Sequence, residues 1–376
     1  MRATRAVIHL DALKSNISKL KARQAAFNKK PLICFPVKAD AYGHGAAVVA
    51  KEALKCGVSH LAVATVDEGV SLRESGVSAP ILLLSHCLPA EAEEVCEARL
   101  VPFVSGLESI RVFEEASAKT FSGGKLPVFL KIDSGMGRLG CAPEDAPDLA
   151  LRIKESPCLE YAGTATHFAV SGSATNGDAE YTRRQTDVFK TALAGISAFG
   201  VDPGIVTAAN SGACVSYPDS WFDMVRPGII LYGYQEAGSK PALDFKPVME
   251  LVTKIVHIKT VRKGESVSYG RTWRAEDDSV IGVLPAGYAD GLPRVLSGKY
   301  QVSCGGRLCQ LAGLICMDQC MVDLGKNPRV KLFDDATIFG GAPPSLSAAD
   351  AAERSRSIPY EILCNISKRV PRVYTR

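Results

Sequence analysis

Residues 32–38 read LICFPVK, an uninterrupted apolar run that ends in a lysine, and ADAYGHG follows it at 39–45. A continuous apolar run, unlike an alternating one, is typical of a strand that is buried on both faces of its sheet. A lysine at the end of such a strand either extends its charge to solvent or has a chemical role, because a buried charge is costly. Lys38 alone does not distinguish these two roles.

Seven more apolar runs of this kind follow the first one. Helix-like segments such as 45–57, 107–119 and 179–200 separate most of them. Eight strands that alternate with helices predict a closed, TIM-like (β/α)8 barrel. An open doubly wound sheet is the alternative, although no GxGxxG motif follows the first strand. The seven runs are HLAVAT (60–65), ILLLS (81–85), LVPFVS (100–105), PVFLKID (127–133), YAGTATHF (161–168), GIVTAAN (204–210) and MVRPGIILYG (224–233).

The character of the sequence changes near residue 241. Short β-rich runs punctuated by Gly, Asp and Pro then dominate, and only SLSAADAAERS (345–355) stands out as helix-like. We therefore predict an α/β barrel domain over residues 1–240 and a mainly antiparallel β domain over residues 241–376. The strand-like run AVIHL (6–10) is extra to the eight barrel strands and could pair in either domain.

Composition excludes several classes of protein. The 44 basic and 40 acidic residues nearly balance, and no dense Lys/Arg run indicates a nucleic acid partner. No apolar run reaches the length of a membrane-spanning helix, and the N-terminus has no apolar signal core, so a cytoplasmic protein is expected. The 12 cysteines show no CxxC pair at zinc-site spacing, so reduced thiols and no metal site are predicted.

The C-terminal ends of the predicted barrel strands carry a suggestive set of side chains. A barrel of this kind has its active site at those ends, which here hold Lys38, His167, Arg226 and the pair Asn210 and Ser211. An amine walled by apolar surface has a lowered pKa and can attack a carbonyl to form a Schiff base. The set therefore suits a small anionic ligand that carries a carbonyl.

Two further residues fit a phosphate on that ligand. Tyr42 lies four residues after Lys38, in what we predict to be the first turn of a helix, where its hydroxyl could reach a phosphate. A glycine at position 228 would let backbone N–H groups approach the same group closely. Helix packing for Tyr42 and a simple turn for Gly228 are the alternatives.

Nine motifs occur in one order along the chain, and together they closely resemble the bacterial alanine racemase family. Members of that family are fold-type III enzymes that use pyridoxal 5'-phosphate (PLP), and the resemblance covers essentially the whole chain. The motifs are FPVKADAYGHG (35–45), KIDSGMGRLG (131–140), THFA (166–169), NSGA (210–213), VRPGIILYG (225–233), SYGRTW (268–273), GYADGLPR (287–294), ICMDQCMVDL (315–324) and IPYEILCNISKRVPR (358–372).

The resemblance implies a role for each matching position. Lys38 would hold PLP and act as the base on the D-enantiomer, and Tyr269 would act on the L-enantiomer. In the family this tyrosine comes from the partner subunit, so a homodimer with shared active sites is implied. The other implied cofactor contacts are Tyr42, Ser211, Gly228, Ile229 and Tyr360 at the phosphate and His167, Asn210 and Arg226 around the rest of the cofactor. Arg138 and Met317 would bind the substrate carboxylate, with Lys131, which is carbamylated in several members, beside Arg138. The residues implied near the entry are Tyr288, Cys316 and Asp318.

Two positions depart from expectation. The family commonly has a histidine that supports the pyridine-binding arginine, and here that position is Thr207, so Tyr288 or water is the predicted support of Arg226. Pro36 stands two residues before Lys38 in a strand that should be central, where a proline removes a ladder donor, so a local irregularity is expected.

The predicted function is therefore racemisation of alanine by a two-base mechanism, which supplies D-alanine for peptidoglycan. A base on each face of Cα is the simplest way to remove a proton and return it with inversion. A serine or broad-specificity racemase, a PLP-dependent decarboxylase, a single-barrel PLP-binding regulatory protein and a Schiff-base aldolase without PLP are the alternatives.

Overall fold

The computed structural model describes residues 2–120, 124–173, 175–236 and 239–376. After strand β1 (Arg5–His9), eight parallel strands close into a barrel in chain order. All eight apolar runs form these strands, which confirms the predicted (β/α)8 barrel. The barrel strands are β2 (Leu32–Pro36), β3 (His60–Val63), β4 (Ile81–Leu83), β5 (Val101–Val104), β6 (Leu126–Lys131), β7 (Leu159–Ala165), β8 (Ile205–Thr207) and β9 (Met224–Val225).

Helices surround the barrel and bury their apolar faces against it. The longest described helix, α8, carries Thr182, Phe189 and Ile196 inward at helical spacing, as an amphipathic surface helix does. No helix among the described residues is both long and apolar enough to cross a membrane. The helical segments of this part are α1 (Leu10–Ala26), α2 (Lys38–Gly43), α3 (Ala46–Lys55), α4 (Val66–Glu74), α5 (Ala92–Glu97), α6 (Leu107–Thr120), α7 (Ala146–Lys154), α8 (Asn176–Ala198) and α9 (Ser211–Ser216).

The C-terminal part is built on mainly antiparallel sheets, as predicted. Its elements are β10 (Met249–Lys254), β11 (His257–Val261), β12 (Ser266–Val267), β13 (Trp273–Arg274), β14 (Ser279–Leu284), β15 (Gln301–Cys304), β16 (Arg307–Gln310), β17 (Cys320–Asp323), β18 (Asp335–Phe339), α10 (Ala348–Ser355), α11 (Pro359–Cys364) and β19 (Arg372–Thr375). A six-stranded sheet has the order β16-β15-β18-β10-β1-β19, and a three-stranded sheet has the order β11-β14-β17.

The first strand, β1, belongs to the six-stranded sheet. Residues of β1 pair antiparallel with β10 and parallel with β19, so that Ala6 lies opposite Leu251 on one side and Arg372 on the other. The buried amide of Asn16 on α1 then bonds the backbone of Leu231 and Lys246, at 2.8–3.1 Å. The start of the chain therefore contacts the segment that joins the barrel to the β-rich part.

Pro36 fits its strand without the expected irregularity. Its register with β3 is continuous, with Pro36 opposite Ala62, whereas β9 pairs only with Leu32 and Ile33. The next residue, Val37, donates its N–H to β3. Because directions alternate along a strand, the missing donor of Pro36 faces the side where the β9 ladder has already ended. The expectation of a local irregularity was wrong for the β2–β3 register for that reason.

Candidate active site

A cavity of about 390 Å³ lies at the C-terminal ends of the barrel strands. This is the end at which barrels of this class carry their active sites, and the volume suits a small ligand. Ten of the residues predicted from sequence meet here. They are Lys38, Tyr42, Lys131, Arg138, His167, Asn210, Ser211, Arg226, Gly228 and Tyr360.

The segment that carries Lys38 and Tyr42 is a left-handed turn. Ala39 to Tyr42 all have φ between 51° and 54°, and the right-handed helix α3 begins only at Ala46. The prediction that Tyr42 lies in the first turn of an ordinary helix was therefore wrong. Each non-glycine residue in this conformation costs roughly 1–2 kcal/mol, so the turn has to be held by its surroundings.

His44 is one of the groups that hold the turn. It is fully buried, and its Nδ1 lies 3.0 Å from the carbonyl oxygen of Ala41 and 2.9 Å from that of Tyr42. Because both partners only accept, Nδ1 carries the proton. Burial lowers the pKa of His44 to about 4, so the ring is neutral at neutral pH and acts as a fixed donor to the turn.

Aromatic packing fixes the ring of Tyr42. It stacks on Tyr232 with ring centroids 4.7 Å apart, and Tyr360 lies 5.6 Å away on another side. The hydroxyl of Tyr232 donates to the carbonyl of Pro36, at 3.0 Å. Burial raises the pKa of Tyr42 well above its ordinary value, so its hydroxyl stays protonated and is a hydrogen-bond donor in the cavity.

The start of α9 supplies another hydroxyl of the cavity wall. The Ser211 hydroxyl accepts the N–H of Gly228 at 2.8 Å. A side chain at position 228 would place its Cβ 2.7 Å from the Tyr42 hydroxyl, so only glycine lets these groups converge. Asn210 caps α9 through its Oδ1. The side chain of Ile229 is buried, so any ligand contact of Ile229 would come from its backbone.

Arg226 is held by the barrel itself. One terminal nitrogen donates to the Thr207 hydroxyl at 2.5 Å, and the other donates to the carbonyl of Thr166 at 2.6 Å. The prediction that Tyr288 supports this arginine was wrong, because Thr207 does so, and the Thr207 hydroxyl in turn donates a hydrogen bond to the carbonyl of Met224. Arg226 lines the cavity, and no described residue accepts a hydrogen bond from its Nε. Burial lowers its pKa to about 10, which leaves it cationic at neutral pH.

Several basic groups converge here, and no Asp or Glu lines the cavity among the described residues. Burial, followed by the charge of Arg226, lowers the pKa of Lys131 to about 7 and holds that of His167 well below its ordinary value. Burial and the charge of Arg138 likewise lower the pKa of Lys38. Such a site favours neutral amines at two lysines and an anionic ligand.

Six predicted residues are not among those that line this cavity within the same chain, namely the buried Ile229 and five residues of the β-rich part. Tyr269 and Met317 have 71% and 53% of their surface exposed, and neither lines the cavity. The backbone of Tyr288 bonds that of Cys316, and Asp318 pairs with Arg369 at 2.8 Å, so these three form one cluster with Met317 on the β-rich part.

Sequence reasoning missed two neighbours of Lys38. Cys364 on α11 lines the cavity, and Glu68 on α4 accepts the N–H of Ala39. A signal for Glu68 was present, because Thr65 and Glu68 have the T-x-x-E spacing of a capping box, which the structure contains. No comparable signal marked Cys364.

The fold and the site together define a two-domain barrel enzyme with a lysine at the catalytic end of its first barrel strand. The model of the alanine racemase N-terminal domain matches residues 8–236, and that of the C-terminal domain matches residues 248–374. The chain belongs to the alanine racemase family.

Similar proteins match along their whole length. The alanine racemase of Treponema denticola is 47% identical over 100% of this chain and 98% of its own, and that of Treponema pallidum is 43% identical over all of both. The crystal structure of alanine racemase from D-cycloserine-producing Streptomyces lavendulae is 34% identical, with a TM-score of 0.92 over 100% of this chain and 98% of its own. The Bacillus anthracis structure with bound L-Ala-P is 33% identical, with a TM-score of 0.91 over 100% and 96%.

Proposed function

We propose that this chain is an alanine racemase that interconverts L- and D-alanine with PLP as its cofactor and supplies D-alanine for peptidoglycan. The observation that carries the proposal is the meeting of Lys38, Arg226 and the hydroxyls of Tyr42 and Ser211 in one cavity at the catalytic end of the barrel. The full-length family relationship supports the choice of substrate.

The residues present fit PLP. Gly228 and the Tyr42 hydroxyl lie so close together that a Cβ at position 228 would collide with the hydroxyl. Together they offer hydroxyl and backbone donors of the kind that bind phosphate. We propose Ser211, Tyr360 and the backbone of Ile229 as further phosphate contacts, with His167 and Asn210 beside the ring and the free Nε of Arg226 at the pyridine nitrogen. Lys38 supplies the amine that binds the carbonyl, and bound PLP supplies the electron sink for the charge that develops at Cα.

The chain's own residues move the protons. Lys38 is the base on one face of Cα, and its lowered pKa favours the neutral amine that can accept a proton there. Tyr269 is the base on the opposite face. Because Tyr269 is exposed and lies outside the cavity of its own chain, we propose that a second copy supplies it, in a homodimer with shared active sites.

Substrate binding would use residues from both copies in the same way. Arg138 lines the cavity and would bind the carboxylate. Met317, from the exposed cluster with Tyr288, Cys316 and Asp318, would complete the entry. The domain division near residue 240 belongs to this proposal, with the barrel holding PLP and the β-rich part serving the partner's site. A cytoplasmic location is part of it too, and the 12 free cysteines support a reducing compartment.

Lys131 would help to hold Arg138. It is buried, and with a pKa of about 7 a large share of its amine is neutral at neutral pH, which is the form that reacts with carbon dioxide. We propose that it is carbamylated, so that a negative group faces Arg138 and Arg226. Labelled bicarbonate and carbon NMR would detect the carbamate, and Lys131→Met should lack the signal.

The test of the function is a racemisation assay over a panel of L-amino acids with the purified protein, with its absorption spectrum recorded. We expect the spectrum of bound PLP and turnover of alanine above the other substrates. Lys38→Ala should lose activity in both directions together with the absorbance of the bound cofactor. A colourless protein, or one that prefers serine, would refute the proposal.

A further inference from the structure

Glu68 joins two segments that meet behind the cavity. Its Oε1 accepts the N–H of Ala39 at 2.5 Å, and its Oε2 accepts those of Ala64 at 2.8 Å and Thr65 at 3.3 Å. Ala39 is the residue directly after Lys38, whereas Ala64 and Thr65 follow the end of β3. One carboxylate therefore connects the start of the left-handed turn α2 to the neighbouring barrel strand.

Helix capping accounts for only part of this arrangement. Thr65 and Glu68 form the capping box at the start of α4, which explains the contact of Oε2 with Thr65. It does not explain Oε1, which reaches a different segment 29 residues earlier in the chain. The contact with Ala39 is thus separable from the helix cap.

The turn needs this anchor. Its four residues from Ala39 to Tyr42 lie in the left-handed region, which non-glycine residues avoid. His44 bonds the carbonyls at the far end of the turn, and Glu68 bonds the N–H at its near end. Because Lys38 directly precedes Ala39, the end of the turn that Glu68 holds fixes the position of the Lys38 backbone.

The charge of Glu68 also acts on Lys38. It favours the protonated amine, in opposition to Arg138 and to burial. No carboxylate lines the cavity among the described residues, so Glu68 supplies negative charge near Lys38 from outside the cavity lining.

We propose that Glu68 is a positioning residue that anchors the Lys38 turn to the end of β3 and thereby aims the lysine amine at the reacting carbon. The proposal rests on the proposed function only in that Lys38 performs the chemistry. The contact itself can be measured without any turnover.

The experiment compares three variants of the full-length holoenzyme. Glu68→Gln keeps the size of the side chain, but its amide cannot accept at both ends, so either Ala39 or the Ala64–Thr65 pair loses its acceptor. Asp67→Asn removes the same charge from the same helix turn at an exposed position. Thr65→Ala breaks the cap but leaves the Glu68 carboxylate in place.

Two quantities are measured, namely amide hydrogen exchange in the segment 37–45 and the kinetic parameters of racemisation. In Glu68→Gln we expect exchange in this segment to be at least about ten-fold faster and kcat to fall about ten- to hundred-fold, because small displacements of a reacting group are costly. We expect Asp67→Asn to match the wild type, and Thr65→Ala to melt earlier with exchange in 37–45 unchanged.

Unchanged exchange in Glu68→Gln, or a kcat within about two-fold of wild type, would overturn the proposal. An equal kcat loss in Thr65→Ala would overturn it too, since the helix cap would then explain the effect. If Glu68→Gln does not fold, Glu68→Asp is measured, which keeps the charge but is too short to span both segments and should also speed exchange. Absence of racemisation in the wild type would refute the proposed function alone, because the exchange comparison still tests the anchor.

Discussion

Replacing Gly228 by alanine adds one carbon atom to the proposed phosphate-binding site and so tests that site. The added Cβ would stand 2.7 Å from the Tyr42 hydroxyl, about 0.7 Å inside the 3.4 Å at which ordinary contact begins. The Tyr42 ring cannot easily retreat, because it is stacked on Tyr232 and flanked by Tyr360. Overpacking of this kind costs roughly 1–3 kcal/mol.

This cost should fall on cofactor binding. If the hydroxyl or the glycine backbone moves, the phosphate loses a donor, and 1–3 kcal/mol corresponds to an increase in the Kd of PLP of about 5- to 150-fold. Equilibrium dialysis followed by absorbance of the retained cofactor measures that Kd. Gly177→Ala is the matched control, since its Cβ meets nothing within 4 Å. A Kd for Gly228→Ala within about two-fold of the control would refute the reasoning.

Three further predictions concern the turn, the arginine and the second base. Burial holds the pKa of His44 at about 4 against an ordinary 6.5, so the unfolded chain binds more protons and stability falls as the pH is lowered from 6.5 to 4, by up to about 3 kcal/mol; His44→Asn should show a shallower fall in melting temperature, and equal slopes would contradict this. Thr207→Val leaves an Arg226 N–H without its acceptor and should destabilise by about 1.5–3 kcal/mol, whereas Thr207→Ser should not; equal melting temperatures for the two would count against the role of the hydroxyl. Tyr269→Phe should raise the primary deuterium isotope effect more with labelled L-alanine than with D-alanine, and equal small changes would argue against one base on each face.

The barrel and most of its site follow from patterns that a sequence displays. The eight buried strands are continuous apolar runs, and their C-terminal ends place Lys38, His167 and Arg226 at the same end of the barrel. These features depend on hydrophobic periodicity and on the fixed direction of parallel strands, both of which are local.

Other features depend on contacts between distant residues and had no local signal. The left-handed turn consists of Ala39, Asp40, Ala41 and Tyr42, none of which is a glycine, so it depends on its contacts with residues such as Glu68 and Tyr232. The support of Arg226 by Thr207 required knowing that β8 and β9 are neighbours. The six-residue α11 is too short for helical periodicity to predict it.

The place of β1 has a consequence for synthesis on the ribosome. The strand is synthesised before the barrel, yet one of its two neighbours in the sheet, β19, spans Arg372–Thr375 and is synthesised after it. The barrel strands between them are complete about 150 residues earlier. The barrel can therefore begin to fold while β1 still has an unpaired edge, and the six-stranded sheet is complete only after β19 has been synthesised. Until then β1 exposes a hydrogen-bonding edge that other chains could join, so aggregation through this edge is a risk in the time between synthesis of β9 and β19.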